Sequence, residues 1–279
     1  MPLPFLIGGA IVAIGGLVGA AAKSVNRDYE EELVWINRKI RSLAEETNRN
    51  YNATQQDVKS KLDNWMFIKK EAHTHLLPRF VDSFGNLKQV DYDTNEVLTP
   101  DIVKDIKQTN LKYKMNHKDG DVGTESEAAL KGAILGIVGG GAFLLGSVIK
   151  NVKLQYAIEE AEANLAKMKL EAEKVKTVEM KLRHLGKRAG ELTSVTQVLS
   201  DLFKLALHQL ECNIATYGTN YSQYDLETRK RVHMVAELAK TVKTVVSTEL
   251  LNDSWEPNPK LATIIRTSRE AVEKFSHGG

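Results

Sequence analysis

Residues 151–175, NVKLQYAIEEAEANLAKMKLEAEKV, decide the fold class. Leu154, Ile158, Ala161, Leu165, Met168, Ala172 and Val175 recur at alternating spacings of four and three. That pattern winds a single apolar stripe along a helix and cannot line one face of a strand. Such a stripe is stable only against other helices, so Leu154, Ile158, Leu165, Met168 and Val175 are expected to pack on helical partners. The phase slips near Glu179, Leu182 and Leu185, as at a stammer, and resumes through Leu192, Leu199, Leu202 and Leu210. The spacing therefore predicts one very long helix over 151–217, stopped at Tyr217-Gly218.

Upstream, Tyr29, Leu33, Ile36, Ile40 and Leu43 keep the same alternation, and Val58, Leu62, Trp65 and Ile68 take it up again. These stripes predict a long helix over 24–77. Thr47, Asn50, Tyr51 and Thr54 fill the gap between them, so the middle of this helix is expected to be weakly packed and to face water or other chains. Pro78 is expected to end it, because proline has no N–H and its ring meets the carbonyl four residues back. Residues 78–127 read as an irregular connector with one short helix, opened by Thr99-Pro100-Asp101 and running to about Leu111. A polar loop over 116–127 follows. Residues 222–279 hold the C-terminal helices, one with Val232, Val235, Leu238, Val242 and Val245 on one side and a last one after Pro257 and Pro259. No sustained period-two alternation marks a strand, so the class is all-α, in the form of an elongated helical bundle or coiled coil.

Two glycine-rich apolar segments stand apart from this pattern. Residues 3–22 (LPFLIGGAIVAIGGLVGAAA), within an N-terminal segment 1–23, are twenty uncharged residues that as a helix would extend roughly 30 Å, the thickness of a bilayer core. Residues 132–149 (GAILGIVGGGAFLLGSVI), within 128–150, are eighteen more, bounded by Lys131 and Lys150. Glycine costs about 1 kcal/mol relative to alanine inside a helix, yet 11 of the chain's 19 glycines lie here. Something other than helix propensity requires them. Gly132, Gly136 and Gly140 repeat every four residues, and Gly15 and Gly19 do the same, so each set shares a helical face on which two backbones can approach closely. Gly8, Gly9, Gly15, Gly16, Gly19, Gly132, Gly136, Gly139, Gly140, Gly141 and Gly146 are thus the candidate membrane and oligomer contacts. Burial of the same segments inside a soluble hairpin is the competing structural explanation.

Composition narrows the function classes. The 38 basic and 36 acidic side chains nearly cancel, which argues against a dedicated nucleic-acid partner. The single cysteine, Cys212, excludes an intrachain disulfide and a thiolate zinc site, so a reducing compartment is expected, with the thiol buried among apolar helical positions. No lysine or arginine precedes the first apolar run, so secretion through a cleaved signal is not expected. The chain is expected at a membrane, or in the cytoplasm before insertion. Lysines lie at both ends of the apolar segments and give no clear topology.

Chemistry-bearing motifs are absent or broken. Gly19-Ala20-Ala21-Ala22-Lys23-Ser24 has Ala22 where a P-loop needs glycine, and no strand precedes it. His73 and His75 are two apart on a helix and point to different faces, which suits no shared metal. The acidic loop at Asp119 and Asp121 lacks calcium-ligand spacing. Glu159, Glu160, Glu162, Glu171 and Glu173 read as the solvated back of a coiled coil. No metal, no cofactor and no enzymatic activity are expected.

The order of helix, glycine-rich apolar segment in mid-chain and very long returning helix resembles the helical pore-forming toxins of the cytolysin A architecture. The resemblance implies a long helical bundle whose apolar head enters a membrane on assembly. Residues 128–149 would correspond to that head, between the helices of 24–76 and 150–217. The leading expectation is a bacterial-type protein that inserts one or both glycine-rich segments into membrane lipid and forms a homo-oligomer. A two-span membrane-anchored scaffold that recruits a protein partner through coiled coils is a second reading, and a soluble coiled-coil subunit of a complex is a third.

Overall fold

A computed structural model of the chain describes residues 27–90, 101–116, 122–138, 157–252 and 257–277. About 90% of the described residues are helical and none forms a strand, which makes the class all-α. The helices are α1 Arg27–Glu71, α2 Leu77–Gly85, α3 Ile102–Asn116, α4 Val122–Val138, α5 Ala157–Tyr217, α6 Leu226–Val246 and α7 Leu261–His277. They belong to two compact units, one of Met1–Asp57 with Ala133–His184 and one of Val58–Gly132 with Leu185–Gly279.

In the first unit Met168 of α5 packs with Ala44 of α1, and Ile40 and Leu43 close around them. Further along the same two helices, Tyr51 lies in the electrostatic field of Glu179. In the second unit α5 brings Gly186 to Val58, Lys204 to Glu71 at 2.9 Å, and Glu211 to Arg79 of α2. Residue numbers rise together on both helices within each unit, so α1 and α5 run parallel. The Gly186 approach is close enough that a side chain there would press on Val58.

The core of the second unit is built from Leu62, Trp65, Leu77, Phe80, Ile106, Leu192, Leu199 and Phe203, all essentially without solvent exposure. Burying each such side chain contributes roughly 1.5–3 kcal/mol. Phe80 stacks on Phe84 at 5.0 Å and meets Phe203 at 6.0 Å, which ties α2 to α5. α2, α3 and α6 pack against one another, and α7 lies on α6.

Pro78 does not end the first helix. A π turn, Ala72–Leu76, follows α1 directly and leads into α2, whose first turn holds the proline. Within it the Leu77 N–H donates to the Ala72 carbonyl, five residues back instead of four. Widening the turn by one residue moves the proline ring off the carbonyl it would strike in a regular α-helix. The helical path therefore continues to Gly85. Two other boundaries also differ from the sequence reading. α3 runs past Leu111 to Asn116, and α4 begins at Val122, inside the expected polar loop.

α5 ends at Tyr217, and Gly218 just past it, with φ of +79° and its N–H bonded to the Ile214 carbonyl at 2.9 Å, makes a left-handed cap. A short 3-10 turn, Tyr221–Gln223, and the Asp225 side chain, which accepts from the Thr228 N–H at 2.7 Å, then open α6.

Candidate functional site

The first glycine-rich segment is followed by α1, and the second lies between α4 and α5. α4 carries the start of the second one: Gly132 is buried, Gly136 lies within the helix, and Leu130, Ala133 and Ile134 are buried. Gly139, Gly140, Gly141 and Gly146 lie outside the described residues, as do Gly8, Gly9, Gly15, Gly16 and Gly19. The last charges before the apolar run are Glu127 and Lys131, paired at 2.8 Å across one turn. The Lys131 ammonium holds the Glu127 carboxyl below the ordinary carboxylate range. One residue before Glu127, the Ser126 hydroxyl donates to Asp63 of α1, which also receives Lys59 at 2.9 Å. Among the described residues no helix is long and apolar enough to cross a membrane.

Of the expected packing stripe, Met168 and Val175 are buried, Ile158 and Leu165 are half-buried, and Leu154 lies outside the described residues. The stripe continues through Val178, Leu182, Leu185 and Ala189, all buried, past the position where its phase slips.

The polar stretch of α1 is not a water-facing gap. Thr47, Tyr51 and Thr54 are buried, while Asn50 is exposed. They form a polar layer in the first unit, to which α5 adds Glu179, itself buried, with Arg183 at 3.9 Å. Burial pushes the Tyr51 hydroxyl up to about 12, against a hydrogen bond with Gln55 that pulls it down and the Glu179 charge that adds to the rise. Burial likewise raises the Glu179 carboxyl, and the Arg183 and Lys176 charges oppose it. The Thr54 hydroxyl has no hydrogen-bond partner among the described residues. Apolar periodicity registers such residues as a break, because it scores side-chain type and not the seam on which the residue falls.

His73 and His75 do separate to different faces. His75 is exposed, whereas His73 is buried in the π turn, with Nδ1 2.9 Å from Asn110 Oδ1 and the ring stacked on Tyr113 at 4.3 Å. Because an amide oxygen only accepts, Nδ1 carries the proton. His73 thus fixes the π turn to α3. Among the described residues no group of three His, Cys, Asp or Glu side chains could hold a metal ion.

Cys212 corrects another expectation: it is exposed, with Sγ 3.8 Å from His208 Nε2. The buried positions around it, Phe203, Ala206, Leu207 and Leu210, follow the three-and-four spacing and leave Cys212 on the opposite face.

A polar clamp that the sequence did not single out joins α2 to α5. Arg79 Nε donates to Glu211 Oε1 at 2.6 Å, its Nη2 donates to Oε2, and the Ser83 hydroxyl donates to Oε1 at 3.2 Å. Together they hold the Glu211 carboxyl below the ordinary range, Arg79 most strongly. The clamp positions helices and presents no reacting group. No family model, no curated protein and no solved structure matches this chain.

Proposed function

We propose that this all-α chain is a non-enzymatic, membrane-inserting protein, an elongated helical bundle that inserts its two glycine-rich segments together and oligomerises through them, with pore formation as the outcome. The observation that carries this reading is the parallel run of α1 and α5. Residues 1–26 lead into α1 and residues 139–156 lead into α5, so both apolar segments join the first unit at the same end of the helix pair. Segments delivered to one end can enter one bilayer in one step, whereas segments at opposite ends cannot.

The energetics favour exchange. Apolar surface buried in protein is stabilised by about 25 cal/mol per Å2, and a bilayer core replaces that burial without placing a charge in lipid, since neither segment carries one. Inside the bilayer, helix association depends on close backbone approach, which glycines four apart provide.

Gly136→Leu tests the proposal. Leucine keeps the segment apolar and raises helix propensity, but it fills the face on which two backbones would meet. Flotation of the variant with liposomes should persist while release of an entrapped dye falls sharply. Flotation and dye release both nearly unchanged would favour a two-span anchor for a protein partner. Wild-type protein that neither floats with liposomes nor permeabilises them would leave a soluble complex subunit.

A further inference from the structure

We propose that the outer face of α3 is a docking surface for an anionic lipid bilayer. The helix is two-sided. Ile102, Ile106, Asn110 and Tyr113 are buried on the side that packs on α2, the π turn and α6. On the opposite side Leu111 is 60% exposed and Met115 69% exposed. Single exposed apolar residues are ordinary on a protein surface, but these two are one turn apart on the same face and sit among lysines.

Lys104, Lys107, Leu111 and Lys114 follow one another at three-and-four spacings along one row, and Lys112 flanks the other side, all exposed. None of the four lysines pairs with a described acidic side chain. Lysines elsewhere, among them Lys59, Lys131, Lys174, Lys204 and Lys274, have carboxylate partners, while others such as Lys181 and Lys187 are exposed without one among the described residues. What sets the α3 lysines apart is that four of them surround two exposed apolar side chains on one short helix. The acid within α3, Asp105, is engaged by Lys243 of α6. The face is therefore cationic without compensation from its own helix, and toward its C-terminal end it is apolar at Leu111 and Met115.

That combination fits a partner that is anionic at its surface and apolar just beneath. Lysine stems can lie along the interface with their ammonium groups among lipid phosphates and carboxylates, while Leu111 and Met115 reach the upper acyl region. A nucleic-acid backbone would satisfy the lysines and offer nothing to the two apolar side chains. Docking through α3 does not rest on insertion of the glycine-rich segments, because α3 needs only to lie on the surface.

The test is partition of the full-length chain onto vesicles of phosphatidylcholine alone and of phosphatidylcholine with phosphatidylserine, at low and high salt. Each lysine near an anionic surface contributes about five-fold in partition. Wild type should prefer the serine-containing vesicles, and K107Q/K114Q should lower that preference by roughly 25-fold. L111S/M115S should weaken binding to both vesicle types, and salt should erase most of the preference. K181Q/K187Q, on exposed α5 positions, should behave as wild type. These are surface changes, and an unchanged thermal melt for each variant separates docking from folding. Equal binding to both vesicle types, or an unaltered preference in K107Q/K114Q, overturns the proposal. So does binding to duplex DNA but not vesicles with the same lysine dependence.

Discussion

Alanine at Gly190 should stabilise the protein and alanine at Gly186 should not, although both lie on α5 one turn apart. Alanine gains about 1 kcal/mol over glycine in a helix. At Gly190 nothing opposes the gain, because an added Cβ would meet no atom within 4 Å. At Gly186 the Cβ would lie 3.0 Å from Val58 Cγ2 and 3.5 Å from Val58 Cα and Lys61 Cδ. Val58 is wholly buried, and a β-branched side chain in a helix has one strongly preferred rotamer, so it cannot swing aside. Overpacking of this kind costs about 1–3 kcal/mol, which cancels or exceeds the propensity gain. G190A should therefore be stabilised by about 1 kcal/mol, and G186A should be neutral to about 2 kcal/mol destabilised. Urea midpoints followed by circular dichroism read both. The double variant V58A/G186A should be less destabilised than the two single changes added together, because alanine at 186 would occupy space that valine vacates. A G186A midpoint raised as much as that of G190A would show that α1 and α5 do not meet closely there.

Further outcomes concern titration and the thiol. Burial raises the Glu179 carboxyl, so the folded state holds its proton more tightly than the unfolded chain does, and the ionised form destabilises at neutral pH. E179Q should raise the urea midpoint at pH 7 and lose that advantage as pH falls below the ordinary carboxylate range; an advantage that is the same at both pH values contradicts the buried layer. Glu211 is shifted the other way, so its pairing with Arg79 stabilises above the ordinary carboxylate value and is lost as pH falls through the lowered native one. R79Q should cost no more than about 1 kcal/mol at pH 7, since both side chains are partly exposed, and should flatten the acid limb; an unchanged acid limb would argue against the clamp. Cys212 should react with a thiol reagent in the native protein at nearly the rate found in urea, and slow native labelling would place the thiol back in the core.

Periodicity carried far along the two long helices and failed where side-chain class and helical phase part company. Met168, Val175, Leu182, Leu185, Leu192, Leu199 and Leu210 were legible as one seam because they are buried along α5, whereas Ile158, Leu165 and Leu202 are only half-buried, and Gly218 marks its end by conformation. Tyr51 and Thr54 were misread because a polar residue on a buried seam looks like a break in the seam. Cys212 was misread for the converse reason, since neighbours in sequence are not neighbours on a helical face. Pro78 suggested a stop, but one widened turn accommodates its ring, and no local residue type announces a π turn. Ending α3 at Leu111 hid the cationic face, because Lys112, Lys114 and Met115 complete it in the following turn. The glycine-rich segments were plain in the sequence by composition alone.

Parallel pairing of α1 with α5 has a consequence during synthesis. Val58 meets Gly186, so the apolar stripe of α1 leaves the ribosome well before its partner exists. At roughly 5–20 residues per second, more than a hundred intervening residues take on the order of ten seconds. An antiparallel hairpin would close within a fraction of that time, by local contacts and a short loop. Here the nascent chain must keep an amphipathic helix and a preceding apolar segment from associating elsewhere while it waits, which makes early capture by a chaperone, or by a nearby bilayer, a kinetic competitor of folding.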